Sequence, residues 1–104
     1  MQNRLAHTVF FTLNDTSSQA RAKLIAACHE YLSGHDGVLH FAVGTIASEL
    51  HRAVNVRDFD IALHIIFEHL AAHDHYQVHP RHLRFIEENR SNWKQVRVFD
   101  STLL

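Results

Sequence analysis

Apolar and polar positions alternate along Leu5 to Leu13, with Leu5, His7, Val9, Phe11 and Leu13 on one face and Ala6, Thr8, Phe10 and Thr12 on the other. A period of two with this β-branched and aromatic content predicts a strand. Asn14 to Ser18 then offer short oxygen-bearing side chains suited to a helix N-cap. From about Ser17 to Leu32 the period lengthens, and Ala20, Leu24, Ala27/Cys28 and Tyr31 form one apolar stripe. Gly34 is placed to end that helix and Gly37 to turn the chain.

Val38 to Thr45 reads as a second strand, with Gly44 marking a bulge or a close backbone approach. Ile46 to Arg57 is polar and without period, a connecting loop with room for one helical turn. Phe59 to Phe67 is the clearest strand: Phe59, Ile61, Leu63, Ile65 and Phe67 make an unbroken apolar face that must lie against helices, opposite Asp60, Ala62, His64 and Ile66. Glu68 to about Tyr76 predicts a short helix, ended at His79-Pro80 because the residue before proline disfavours helical geometry. Arg81 to Asn92 predicts another, with Leu83 and Phe85/Ile86 as its apolar contacts, and Gln95 to Asp100 is the last strand.

This order predicts an α+β fold over residues 1–104 as a single domain: a ferredoxin-like βαββαβ unit with a four-stranded antiparallel sheet. Helices cover one sheet face only. The other carries Phe10, Ala62 and Ile66 mixed with Thr8 and Asp60, too apolar to stay wet, and predicts a homodimer formed through that face.

Composition narrows the partners. Of 104 residues, 46% are hydrophobic, enough for a globular core, and ten basic against eleven acidic residues leave a formal charge of −1. The basic residues are scattered from Arg4 to Arg97, so no positive footprint for nucleic acid forms. No stretch has the length and apolarity of a membrane span, and Met1 to His7 lack the apolar run of a signal peptide. One cysteine, Cys28, allows no intrachain disulfide. A cytoplasmic location is the expectation. Eleven histidines stand out: protonating them would turn the chain strongly positive, so pH-sensitive association is expected unless their number is a mere compositional bias.

The chain resembles the stress-responsive alpha/beta-barrel (Dabb) family in His7-Thr8-Val9-Phe10-Phe11, Gly37-Val38, Val43-Gly44, Phe59-Asp60-Ile61-Ala62, Phe67, the run Tyr76-Gln77-Val78-His79-Pro80-Arg81-His82, and the closing Val96-Arg97-Val98-Phe99-Asp100. The resemblance spans the chain in order, and its most specific piece is the Tyr-x-x-His-Pro-x-His run. It implies a dimeric alpha/beta barrel built from two ferredoxin-like monomers, and it implies little about activity, since most members have no defined reaction. In the plant polyketide-cyclase branch the tyrosine and last histidine of that run line the site, which places them at Tyr76 and His82, with His7 near the same pocket.

The chemistry suits those positions. An imidazole can take a proton from a carbon next to a carbonyl, and a phenol can donate to the developing enolate oxygen. Tyr76 and His82 are the candidate catalytic residues, and His7, Ile61, Leu63 and His79 the candidate lining of an apolar ligand pocket. The alternatives are structural: Tyr76 and His82 packing a helix end with their polar atoms on backbone, His7 as a satisfied core histidine, and His79 as a turn stabiliser. Trp93 and Phe99 read as core anchors, and Cys28 as a buried, inert thiol.

No cofactor is expected, and since the three glycines form no phosphate loop, nucleophile elbow or dinucleotide fingerprint, nucleotide-dependent enzymes and serine hydrolases are poor candidates. No metal site is expected either. His69 and His73 have helical spacing and His75, His79 and His82 follow, but Glu68 precedes His69, which breaks the His-Glu-x-x-His order. The leading reading is a dimer that binds a small apolar ligand without established catalysis. The alternative is a cofactor-independent cyclase or lyase acting on a polyketide-like carbonyl compound, with His82 as general base and Tyr76 as hydrogen-bond donor. A monooxygenase-like activity rests on fold analogy alone.

Overall fold

The computed structural model describes residues 2–104. Strand β1 (Leu5–Leu13) is followed by helix α1 (Ser18–Leu32), strands β2 (Val38–Gly44) and β3 (Ile61–Phe67), helices α2 (Leu70–Val78) and α3 (Pro80–Asn89), a 3-10 turn at Arg90–Asn92, and strand β4 (Trp93–Thr102). The sheet order is β2-β3-β1-β4 with every pairing antiparallel. This is the ferredoxin-like arrangement that the hydrophobic pattern predicts.

Period-two burial holds along β1, where His7, Val9, Phe11 and Leu13 are buried on the helix side. On β3 Ile61, Leu63, Ile65 and Phe67 do the same, and Leu24, Ala27, Cys28 and Leu32 of α1 close over them. Each large side chain buried there contributes roughly 1.5–3 kcal/mol. Ser17 caps α1 by accepting from the Ala20 N–H at 3.2 Å. Gly34 (φ 74°) follows the helix as its left-handed stop. Gly37 (φ 82°) has no room for a side chain, since a Cβ would lie 2.5 Å from that of Ala72; α2 thereby docks closely on the turn into β2.

Several local expectations are corrected. Phe59 is not on the helix side: the strand begins at Ile61, and Phe59 packs edge-on against Phe10 of the open face at 4.9 Å between ring centroids. The reason is Asp60, whose N–H donates to the Phe11 carbonyl while its carboxylate accepts from the Leu13 N–H. Both of its polar groups are spent on β1, and the alternation breaks. Gly44 has open space around it, and the irregularity of β2 falls between Val38 and His40 instead. Between β2 and β3 there are two tight turns, closed by Leu50 on Ala47 and Asn55 on Arg52, rather than a helical turn. On α3 the inward residues are His82, Phe85 and Asn89, and Leu83 is exposed; Pro80 stands at the start of the helix, where its missing N–H costs nothing. Trp93 packs with Phe11 and Phe85 at the core edge, whereas Phe99 lies on the open face, 58% exposed and edge-on to Phe10.

No helix among the described residues is long and apolar enough to cross a membrane.

Candidate functional site

His7 enters the site from β1. Register places it between Ile65 of β3 and Asp100 of β4, so His7 and Asp100 are direct cross-strand neighbours on the helix side of the sheet. The His7 Nδ1–H donates to Asp100 Oδ1 at 2.5 Å. This fixes the neutral tautomer, with the free lone pair on Nε2. From above, α2 presents His73, Tyr76 and Gln77, which share one side of the helix by their spacing of three and four. His79 then ends α2 and caps α3, its Nδ1 accepting from the Arg81 N–H at 3.1 Å. The chain thus turns sharply enough to bring His82 back over Tyr76, with their ring centroids 4.6 Å apart.

Between these helices and the sheet lies a cavity of about 160 Å³ whose lining includes His7, Leu63, Tyr76, Gln77 and His82. The rest of its wall is apolar, from Val9 and Phe11 on β1 to Val96 and Val98 on β4. Four residues singled out in the sequence, His7, Leu63, Tyr76 and His82, therefore meet at one cavity. Two do not join them. Ile61 is fully buried in the core but is not part of the cavity wall, and His79 serves as the helix cap and packs against His35 at 4.8 Å.

Three residues of this wall carry a buried polar atom with no partner in the protein: Tyr76 at Oη, His82 at Nδ1 and Trp93 at Nε1. Tyr76 is 1% exposed and His82 8%. Leaving a buried donor or acceptor unpaired costs roughly 1–3 kcal/mol. Neither Tyr76 Oη nor His82 Nδ1 reaches a backbone group, although the His82 ring interacts with the Gln77 backbone. Burial pushes His82 down to about 4, against a smaller upward pull from the Gln77 backbone, so at neutral pH its ring is uncharged. Burial raises the Tyr76 phenol well above its ordinary value, and it remains a hydrogen-bond donor. Burial also lowers His7, while the hydrogen bond and charge of Asp100 pull in the opposite direction. The set is an uncharged wall with two imidazoles and a phenol. It can donate a hydrogen bond to an oxygen through the phenol and accept one at a neutral imidazole nitrogen.

Gln77 lines the cavity and Asp100 and His73 adjoin His7; of these the sequence singles out only His73, as a helically spaced partner of His69. Alternation along Val96, Val98 and Asp100 shows that they share a face, but only the antiparallel register with β1 puts Asp100 opposite His7. His73 packs on His7 at 5.2 Å and on Phe67 at 5.5 Å.

A larger groove of about 390 Å³ lies over the start of α1. Its polar groups hold the fold together: Ser17 caps the helix, Asp15 accepts from the Ser17 N–H, and Asn92 accepts from the Asp15 N–H. Cys28 is fully buried, its thiol pushed up to about 12 by desolvation.

Residues 5–103 match the family model described as the Dabb stress responsive A/B barrel domain. The chain belongs to the Dabb family. Among solved structures, a Dabb family protein with a ferredoxin-like fold from Mesorhizobium loti is similar at TM-score 0.82 and 25% identity, with 99% of each chain covered. A dimeric ferredoxin-like protein of unknown function from Thermobifida fusca superposes at TM-score 0.81 with 16% identity, over 99% of this chain and 93% of that one. The hydroxynitrile lyase of Passiflora edulis gives 0.75 and 20%, covering 100% and 96%. At those identities the last two show the Dabb chain's fold alone. No curated protein matches the sequence.

Proposed function

We propose that this Dabb protein is a homodimer in which each subunit binds one small, mostly apolar carbonyl compound in the cavity between the sheet and helices α2 and α3. The observation that carries this reading is the pair of adjacent unpartnered buried polar atoms, Tyr76 Oη and His82 Nδ1, at a mostly apolar wall that also holds the unpartnered Trp93 Nε1. A ligand oxygen accepting from the phenol would satisfy the tyrosine, and the apolar remainder would replace empty space. At about 160 Å³ the cavity is smaller than the roughly 300–1,000 Å³ of drug-sized sites, so the ligand is compact or only one end of it enters. Supporting the dimer is the open sheet face, where Phe10, Phe59 and Phe99 cluster around exposed apolar surface, together with the dimeric fold relatives. A free, buried Cys28 suits a reducing compartment such as the cytoplasm.

The test is a thermal-shift screen of small apolar aldehydes, ketones and β-dicarbonyls against the wild type, Tyr76→Phe and His82→Ala. Stabilisation of the wild type that is lost in both variants is expected. Equal shifts in all three proteins, or none in the wild type, overturn the site.

One arrangement favours a second reading, in which the bound compound is turned over. Tyr76 and His82 are adjacent with free polar atoms, and His7 is oriented by Asp100 in the manner of a general base held by a carboxylate. In that reading Tyr76 donates to the carbonyl oxygen and His82 removes the neighbouring carbon-bound proton. Exchange of that proton for deuterium in a bound ketone, faster with the wild type than with His82→Ala, checks it by NMR.

A further inference from the structure

Along the sequence the histidines of α2 lack the order of a metal motif, and in the fold two of them are already committed. His69 caps α2, its Nδ1 accepting from the Ala72 N–H at 3.1 Å, and His79 caps α3. The third dimension assembles a different set. His73 of α2, His7 of β1 and Asp100 of β4 each bring one ligand atom to within 4.8 Å of the others. We propose that His7, His73 and Asp100 form a binding site for a divalent transition cation of the zinc type, one per chain, at the edge of the cavity.

The chemistry of the donors selects the ion. Two imidazoles and one carboxylate suit zinc and its neighbours, whereas magnesium and calcium prefer all-oxygen sites. Zinc bonds of about 2.0–2.2 Å place tetrahedral ligand atoms roughly 3.4 Å apart. The present separations, from 2.5 Å between His7 Nδ1 and Asp100 Oδ1 up to the 4.8 Å limit, bracket that value. The cation takes the place of the proton on His7 Nδ1, which passes to Nε2 so that the ring ligates as a neutral imidazole. The carboxylate has room to retreat, because its side chain is 42% exposed, and that exposure also gives the ion a way in.

The surroundings fit as well. Asp74 Oδ1 accepts from His73 Nδ1–H at 3.0 Å, the carboxylate contact that orients metal-binding imidazoles, and His73 Nε2 accepts only a long 3.5 Å contact from the Gln77 amide, which an ion displaces. His7 is buried and held from behind by Phe67 and Tyr76. Three protein ligands leave a fourth position open, as in catalytic rather than structural zinc sites. With His7 and Gln77 both in the cavity wall, that position borders the space where a carbonyl oxygen would sit. This inference is independent of the ligand reading: a protein that binds zinc but no carbonyl compound, or the reverse, separates the two.

The experiment uses tag-free protein stripped of metal. Isothermal titration with zinc chloride is expected to show one ion per chain, with binding weakened at least tenfold in both His73→Ala and Asp100→Asn and unchanged in His40→Ala. In the wild type itself, nitrogen-15 spectra of the imidazoles are expected to show the His7 and His73 rings shifting together with one equivalent of zinc and not with magnesium. Zinc affinity retained in both variants, or shifts confined to other histidines, overturns the site. The imidazole spectra decide it even if Asp100→Asn fails to fold.

Discussion

The two faces of the sheet obey different rules. On the helix side Val9, Phe11, Leu63, Ile65 and Phe67 are almost wholly buried, and the polar residues there, His7, Tyr76 and His82, are few and closely placed. On the open side Phe10, Ile66 and Phe99 alternate with Thr8, His64 and Arg97, and burial is partial or absent. In a packed layer an unpaired polar atom is expensive, so its presence calls for an explanation. On an open layer the telling feature is the reverse, apolar surface in contact with water. The same side-chain types therefore carry opposite meanings on opposite faces.

The largest effect that separates the faces is on folding. Phe67→Ala empties a site that is 0% exposed and is expected to cost about 3–5 kcal/mol, a large part of the stability of a chain this size. Phe99→Ala, at 58% exposure, should change the unfolding of the isolated subunit by no more than about 0.5 kcal/mol. Its effect should fall on association, with a dimer dissociation constant raised roughly tenfold or more by sedimentation. Equal losses of folding stability in the two variants would erase the distinction.

Next comes acid. His82, His7 and His35 are all lowered by burial. A histidine whose folded-state value lies below its unfolded one is stabilised as the neutral ring, so this contribution is complete above about 6.5. It is lost as the pH falls toward about 4 for His82. Urea midpoints of the metal-free protein should therefore drop between neutral pH and pH 5, and less steeply in His82→Gln. A pH-independent midpoint would mean that solvent reaches the ring freely.

The smallest effect is the sharpest test of the closed face. Tyr76→Phe removes a hydroxyl that has no partner, so folding should be unchanged or improved by up to about 1 kcal/mol. A loss beyond 1 kcal/mol by chemical denaturation would show that the phenol is already bonded within the fold.

Much of this was legible along the chain, for reasons that lie in periodicity. The span of β1, the core of α1 and the apolar run of β3 follow from alternation and helical spacing, and His79-Pro80 marks the break between α2 and α3 because proline restricts its neighbour. Where a single side chain redirects the backbone, periodicity misleads. Asp60 diverts Phe59 to the open face by bonding across to β1, and helix docking turns His82 rather than Leu83 of α3 inward.

The sequence by itself determined the element order, the βαββαβ topology and four of the residues at the cavity, because each is written in local spacing or in a contiguous run. Only the tertiary structure decided that Tyr76 and His82 stand unpartnered, that Asp100 holds His7, and that His73 joins them from another element. Those facts depend on strand register and helix docking, and these join residues as far apart as 93 positions. No local pattern of polar and apolar residues encodes such a distance.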